Sequence, residues 1–168
     1  MKIFKILTII LKLAVLIKAN AEFSKMEECK SSNKSLKFYR CEINNGRFNV
    51  VFEFVKPIYK VHLIANFYRI VDSEFIQIFR APDFEWCSIV GTKKRPNPVI
   101  KLFFDPIRKK FPGIFKCPIT GLQNLTNIEP DYKMMMMLPV ATYRITFKAH
   151  NNEDDDIATV AIILKIEA

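Results

Sequence analysis

Large apolar residues alternate with polar residues along most of this chain, and this period-two pattern is typical of β-strands with one buried face. It is clearest where Phe48, Val50, Phe52 and Phe54 share one parity. The same pattern predicts strands at 36–43, 48–55, 58–70, 75–79, 86–90, around 143–147 and around 160–166. Six or seven short strands of this kind predict an all-β fold, an antiparallel sandwich with one buried face per sheet.

One segment departs from this alternation. Between Pro98 and Phe111 the apolar residues recur near a 3.6-residue period, with Asn97 as a candidate N-cap and Pro98 at the first helical position. The segment is predicted to be one short amphipathic helix. Pro106 should break or kink it near Asp105, because proline cannot donate the helical hydrogen bond.

Residues 1–21 have the three regions of a secretory signal peptide: early lysines, an apolar run over 6–17, and the small tripeptide Ala19-Asn20-Ala21. A retained membrane anchor is the alternative, although the run is shorter than the roughly 20 residues that span a bilayer. Residues 22–168 then form a single domain, secreted and extracellular. Removal of four lysines and no acid lowers the formal net charge from +9 to +5. That charge does not indicate nucleic acid as a partner.

All four cysteines lie after the predicted signal, and an even number in an exported chain predicts two disulfides. Three pairings are open. We favour Cys29 with Cys41 and Cys87 with Cys117, since the first pair flanks a short polar turn and the second closes one excursion of the chain. Buried free thiols are the alternative.

Two sequons agree with export: Asn33-Lys34-Ser35 and Asn124-Leu125-Thr126. Asn33 and Asn124 are therefore predicted glycosylation sites.

The sequence offers little from which to build an enzyme. It has two histidines, His62 and His150, which are far apart and have no evident chemical partner, and it has no Gly-rich phosphate loop. The acidic run 153–156 is predicted to be a soluble turn, because it lacks the alternating ligand spacing of a calcium loop. We predict no catalytic residues, no metal and no cofactor.

The inward apolar stripe either packs as an ordinary core or lines a ligand cavity, and patterning alone cannot separate the two. The run Met134–Met137 is a candidate for the mouth of such a cavity because methionine adapts to irregular apolar surfaces; a half-buried edge strand is the alternative. The candidate ligand-binding residues are Val50, Phe52, Phe54, Leu63, Phe67, Met135, Ile145, Phe147 and Ile162.

A set of short motifs in a fixed order carries a resemblance to a known family. These are Lys56-Pro57, Glu85-Trp86-Cys87, Asn97-Pro98, Cys117-Pro118 with Gly121, and Pro139 four residues before Tyr143. With them the chain resembles a family of secreted insect proteins of unknown function that is itself similar to the ML lipid-recognition domains. The family usually has Gly between that Pro and Tyr and often His before Cys-Pro, and both are missing here. The resemblance implies an immunoglobulin-like, ML-like sandwich whose sheets part around an apolar ligand, with a chemosensory or lipid-handling role in some members.

These observations predict a secreted, non-enzymatic binding protein for a hydrophobic small molecule or lipid. The alternative is an extracellular protein-interaction module with a closed core. Basic residues at 93–95, 101 and 108–110 make a membrane surface or a receptor a further candidate partner, although such a run is more often a solvated face.

Overall fold

The computed structural model describes residues 20–32, 34–91, 105, 107–131, 138–151 and 156–167. These residues form nine strands, a short helix and a 3-10 turn, and Asp105 and residues 107–110 are helical as well. The elements are β1 (Asn20–Ser31), β2 (Leu36–Asn44), β3 (Arg47–Ile58), β4 (His62–Val71), β5 (Glu74–Arg80), β6 (Phe84–Glu85), α1 (Trp86–Gly91), the 3-10 turn (Pro112–Phe115), β7 (Ile119–Ile128), β8 (Ala141–His150) and β9 (Asp156–Glu167).

The strands pair into two sheets, and every pair is antiparallel. The larger sheet has the order β1-β9-β8-β4-β5, and the short β6 also pairs with β4. The smaller sheet has the order β2-β3-β7. The predicted fold class, an all-β antiparallel sandwich, is confirmed.

Two-residue turns set the register of both long hairpins. Asn45 and Gly46 join β2 to β3 with φ of 50° and 72°, the positive values that such turns require. Glycine suits this position for a second reason, because a Cβ on Gly46 would lie 3.1 Å from the Cβ of Glu22 in β1. The β4–β5 turn is built in the same way by Asp72 and Ser73.

The prediction of a strand at Trp86–Val90 is wrong: Trp86–Gly91 is the helix α1. The carboxylate of Glu85 accepts hydrogen bonds from the backbone N–H groups of Cys87 and Ser88, both at 2.8 Å, and so caps the first turn. The side chains that pack against the core are Trp86, Ile89 and Val90. Their i, i+3, i+4 spacing places them on one face of the helix.

The sequence patterns also missed β1, β6 and β7. The predicted signal-peptide cleavage after Ala21 would fall inside β1. Residues 1–19 of the predicted signal peptide lie outside the described residues. Most of the predicted helix at 98–111, including Pro106, also lies outside the described residues, while Asp105 and residues 107–110 are helical. The basic residues Lys93, Lys94, Arg95 and Lys101 lie outside the described residues as well. Within the described residues, no helix is long and apolar enough to cross a membrane.

One disulfide joins strands of the two sheets, and the other joins the helix α1 to the segment before β7. Cys29 of β1 is bonded to Cys41 of β2, and Cys87 of α1 is bonded to Cys117 just before β7. This is the pairing favoured from the sequence. Near the Cys29–Cys41 bond, the backbone N–H of Phe23 in β1 donates a 3.1 Å hydrogen bond to the carbonyl oxygen of Gly46 in the β2–β3 turn. The Cys29–Cys41 bond and this hydrogen bond therefore tie the larger sheet to the β2–β3 hairpin of the smaller sheet.

The core between the sheets consists of two clusters. One surrounds Phe52, Phe54, Val61 and Trp86, where the smaller sheet faces β4 and α1. The other surrounds Phe67, Tyr143, Ile145 and Leu164 in the larger sheet. Phe48 and Ile128 pack against both clusters, so they lie where the two clusters meet.

Tyr143 offers a local test of packing in the second cluster. Its side chain is fully buried, and its hydroxyl donates a 2.7 Å hydrogen bond to the carbonyl oxygen of Pro139. We expect Tyr143→Phe to lower the free energy of unfolding by about 0.5 to 1.5 kcal/mol, because the hydrogen bond to the Pro139 carbonyl is lost. Urea unfolding at neutral pH measures this loss.

The same residue gives the stability a pH dependence. Burial raises the pKa of Tyr143 above its ordinary value, and Arg69 partly opposes this. The unfolded tyrosine ionises near pH 10 while the folded one stays neutral, so stability should fall as pH rises through about 10. This component should vanish in Tyr143→Phe, and identical alkaline profiles for the two proteins would contradict it.

Candidate ligand-binding cavity

A cavity of about 630 Å³ lies between the two sheets. Its walls come from β2, β3 and β7 on one side and from β4, β8 and β9 on the other, with contributions from β1, α1 and the segment 107–114. It contacts both core clusters, since Phe52 and Val61 of the first and Phe67 and Ile145 of the second belong to its lining. The cavity therefore lies where the core divides.

The structure brings together the residues that the sequence pattern proposed for a ligand site. Eight of the nine lie in the lining: Val50, Phe52, Phe54, Leu63, Phe67, Ile145, Phe147 and Ile162. The ninth, Met135, and the rest of the run Met134–Met137 lie outside the described residues. Val50, Phe52 and Phe54 share one parity on β3, so they lie on the face of that strand that points into the sandwich.

Aromatic rings make up one wall of the cavity. The rings of Phe38 and Phe52 lie 6.1 Å apart and those of Phe52 and Phe54 lie 5.5 Å apart, both in edge-to-face geometry. Such contacts fix ring orientation beyond what burial alone requires. This wall is a preformed apolar surface.

A second group of lining residues was missed. Phe23, Ile119, Leu125 and Ile128 lie on β1 and β7, which the pattern did not predict, and Ile114 lies in the 3-10 turn. Trp86, in the segment predicted as a strand, and Ile107 and Phe111, in the predicted helix, were not among the site candidates. Trp86 holds part of this group in place, because its indole N–H donates to the carbonyl of Ile114 at 3.3 Å and its ring lies 4.8 Å from that of Phe115. On β7, Ile119 and Leu125 both face inward, but Gly121 between them has no side chain and the apolar Leu122 is 63% exposed. The apolar residues of β7 therefore do not alternate regularly, and the pattern did not predict the strand.

The polar residues of the described lining are all charged: Lys110, Glu129, Asp131 and Lys148. Lys110, Glu129 and Lys148 are exposed to solvent and Asp131 is half-buried, so the charged part of the lining is in contact with water. The Lys110 ammonium donates to the backbone carbonyl of Asn127, and Glu129 forms a 2.7 Å ion pair with Arg47. We call these four residues the charged rim.

The lining is suited to burying apolar surface. Within its described part there is no hydroxyl, thiol or imidazole group that could serve as a nucleophile or base next to the apolar walls. The acids and lysines of the charged rim can bind a polar group at the water-facing side. The arrangement can therefore hold a molecule that has an apolar part and a polar end.

The prediction that the two histidines have no chemical partner is wrong. Register pairs His62 of β4 directly with His150 of β8. Their rings stack with centroids 5.2 Å apart, and both approach the carboxylate of Asp83. Sequence distance concealed this contact, because antiparallel pairing of β4 with β8 brings together residues 88 positions apart.

Asn124, one of the two predicted glycosylation sites, is exposed on β7. Asn33 lies outside the described residues. Both sites stay predictions.

No protein-family model and no curated protein matches the chain. Among solved structures, the chain is similar to chicken MD-1, whose crystal structure was determined in complex with lipid IVa. The two share 15% sequence identity, the alignment covers 90% of this chain and 100% of that chain, and the TM-score is 0.35.

Proposed function

We propose that this protein is a secreted, non-enzymatic binding protein that holds a hydrophobic small molecule or lipid between its two sheets. The observation that supports the proposal is the apolar cavity of about 630 Å³. Protein interiors are normally packed as densely as organic crystals, with few voids larger than one water molecule. Small-molecule sites typically measure about 300 to 1,000 Å³, and this cavity falls within that range.

Removal of apolar ligand surface from water would drive binding. Burial of about 300 Å² of apolar ligand surface contributes about 7.5 kcal/mol at 25 cal/mol per Å². Loss of translational and rotational freedom then opposes binding by several kcal/mol. Micromolar or tighter affinity therefore needs a ligand that fills much of the cavity.

The distribution of apolar and charged residues in the lining favours an amphipathic ligand. Its apolar part would lie against the aromatic wall and β8, and its polar end would lie at the charged rim. Because Lys110 and Lys148 are accompanied by Glu129 and Asp131, the rim does not select one sign of headgroup charge.

Secretion rests on the signal-peptide pattern and agrees with two disulfides, which form in oxidising compartments. The family resemblance extends the proposal to extracellular lipid handling, of which chemosensory ligand transport is one form.

An extracellular interaction module is the second candidate, and one observation favours it. Phe75, Ile76 and Ile78 on β5 are each 44% exposed or more, on a strand at the edge of the larger sheet. An exposed apolar edge strand can pair with a receptor. This surface is separate from the cavity, so both functions can coexist.

Titration with an apolar dye tests the proposed cavity binding. The protein, purified from a secreting eukaryotic cell and extracted with organic solvent, is titrated with N-phenyl-1-naphthylamine, a dye that fluoresces in apolar surroundings. We expect saturable binding of one dye per chain and displacement by a long-chain fatty acid or a sterol. Linear, non-saturating fluorescence, or binding that none of these lipids displaces, would contradict the proposal.

A further inference from the structure

His62, His150 and Asp83 form a compact cluster at one end of the β4–β8 pair. Nδ1 of His62 lies 3.1 Å from Oδ1 of Asp83, and Nε2 of His150 lies 3.2 Å from Oδ2. One donor atom from each residue lies within 4.8 Å of the other two. The Asp83 side chain is 43% exposed and those of His62 and His150 are 28% and 16% exposed, so an ion from solvent can reach the cluster.

The hydrogen bonds of His150 fix which of its nitrogens can bind a cation. Nδ1 lies 3.0 Å from the carbonyl oxygen of Asn151, which can only accept a hydrogen bond, so Nδ1 carries the proton. In a neutral ring the lone pair is then on Nε2, which faces the negatively charged Asp83 oxygen. Nε2 is therefore the ring atom of His150 that would bind a cation beside Asp83.

We propose that His62, Asp83 and His150 bind a divalent transition-metal ion of the zinc class. Two imidazoles and one carboxylate are ligands that Zn²⁺ prefers. One donor atom from each residue lies within 4.8 Å of the other two, so small side-chain movements would bring them to the roughly 3.3 Å separation that Zn²⁺ bonds of about 2.0 to 2.1 Å at tetrahedral angles require. A metal-binding histidine usually donates its other N–H to a carbonyl or carboxylate, as His150 does to Asn151.

This metal site is distinct from the proposed ligand cavity. Val61 and Leu63 line the cavity, and His62 between them has the opposite parity on β4. On β8, Phe147 and Ala149 line the cavity while His150 follows them at the strand end. The ion would join β4, β8 and the β5–β6 connection, which contains Asp83, on the outer side of the larger sheet.

Calorimetric titration with ZnCl₂ tests the proposal. His62 and His150 are the only two histidines of the chain, so a protein purified without a polyhistidine tag has no other imidazole. We expect one Zn²⁺ per chain and a higher unfolding temperature with Zn²⁺, since an ion that binds the folded state stabilises it. His62→Gln, His150→Gln and Asp83→Asn should each weaken binding by on the order of 100-fold.

Asp72→Asn is the matched control, because Asp72 is an exposed turn carboxylate with positive φ, which asparagine tolerates. It should leave Zn²⁺ binding unchanged. If a histidine variant fails to fold, the Zn²⁺ affinity of Asp83→Asn is the measurement that tests the site. Absence of Zn²⁺ binding to the folded wild-type protein, or equal binding by wild-type protein and Asp83→Asn, would overturn the proposal. Dye binding measured in the same samples reports separately on the cavity.

Discussion

The variant Leu63→Trp should weaken apolar ligand binding by about 10- to 100-fold while leaving the free energy of unfolding unchanged or higher. Leu63 is half-buried on β4 and lines the cavity. A tryptophan there occupies space that the ligand would use. Loss of about 50 to 100 Å² of buried ligand surface removes about 1.3 to 2.5 kcal/mol, which is the expected range of affinity loss.

The stability of the same variant separates a cavity from a closed core. Filling an empty apolar space commonly stabilises a protein by roughly 0.5 to 2 kcal/mol. Inserting a larger side chain into a well-packed core costs about 1 to 3 kcal/mol instead. Weaker dye binding together with equal or higher stability would therefore support the cavity.

Ile64→Trp is the matched control, because Ile64 is the next residue on β4, is also half-buried and is not part of the lining. It should keep dye affinity near the wild-type value. Equal loss of binding in both variants would show that tryptophan disturbs β4 in general. A destabilised Leu63→Trp with normal binding would contradict the cavity account.

Removal of the disulfides should produce the largest loss of stability. Replacing Cys29 and Cys41 by serine should lower the free energy of unfolding by about 3 kcal/mol, and replacing Cys87 and Cys117 by somewhat more. The difference arises because the two bonds close loops with sequence separations of 12 and 30, and a longer loop gains more freedom in the unfolded chain. Urea unfolding of the two double variants measures both values.

Position in the fold predicts a functional difference between the two double variants. Cys87 lies next to Trp86, whose indole N–H holds Ile114 of the cavity lining. Loss of the Cys87–Cys117 bond should therefore weaken dye binding more than loss of the Cys29–Cys41 bond, whose residues are not in the lining. The reverse order, or no effect of either pair on stability, would contradict this account.

The sandwich could be predicted because its strongest strands follow a strict period of two. Phe48, Val50, Phe52 and Phe54 specify the inward face of β3, and Asn45-Gly46 specifies the preceding turn. Eight ligand-site candidates lie in the cavity for the same reason. The pattern shows which face is inward, but it does not contain the distance between the sheets, so it could not show the cavity itself.

Elements with interrupted periodicity could not be predicted. β1 has two register shifts, between Phe23 and Lys25 and between Met26 and Glu28, and these break its alternation. β7 contains Gly121 and Asn127 with positive φ, which break it similarly.

α1 was misassigned because its six residues are too few to show a period clearly. Its cap is the side chain of Glu85, which is not among the usual N-cap residue types.

The cluster of His62, Asp83 and His150 shows a different limit. No local pattern connects these three residues, because their contact depends on the pairing of β4 with β8 and on the path of the β5–β6 connection. Only the sheet register places them together.

Native mass spectrometry of the protein secreted from eukaryotic cells, before and after extraction with organic solvent, tests the central claim most directly. We expect a discrete mass of a bound apolar molecule that is lost on extraction and regained on incubation with lipid. The intact mass also reports signal cleavage after Ala21, both disulfides and glycans at Asn33 and Asn124. A bare polypeptide that stays bare after incubation with fatty acids, sterols and hydrocarbons would contradict ligand binding and favour the interaction module.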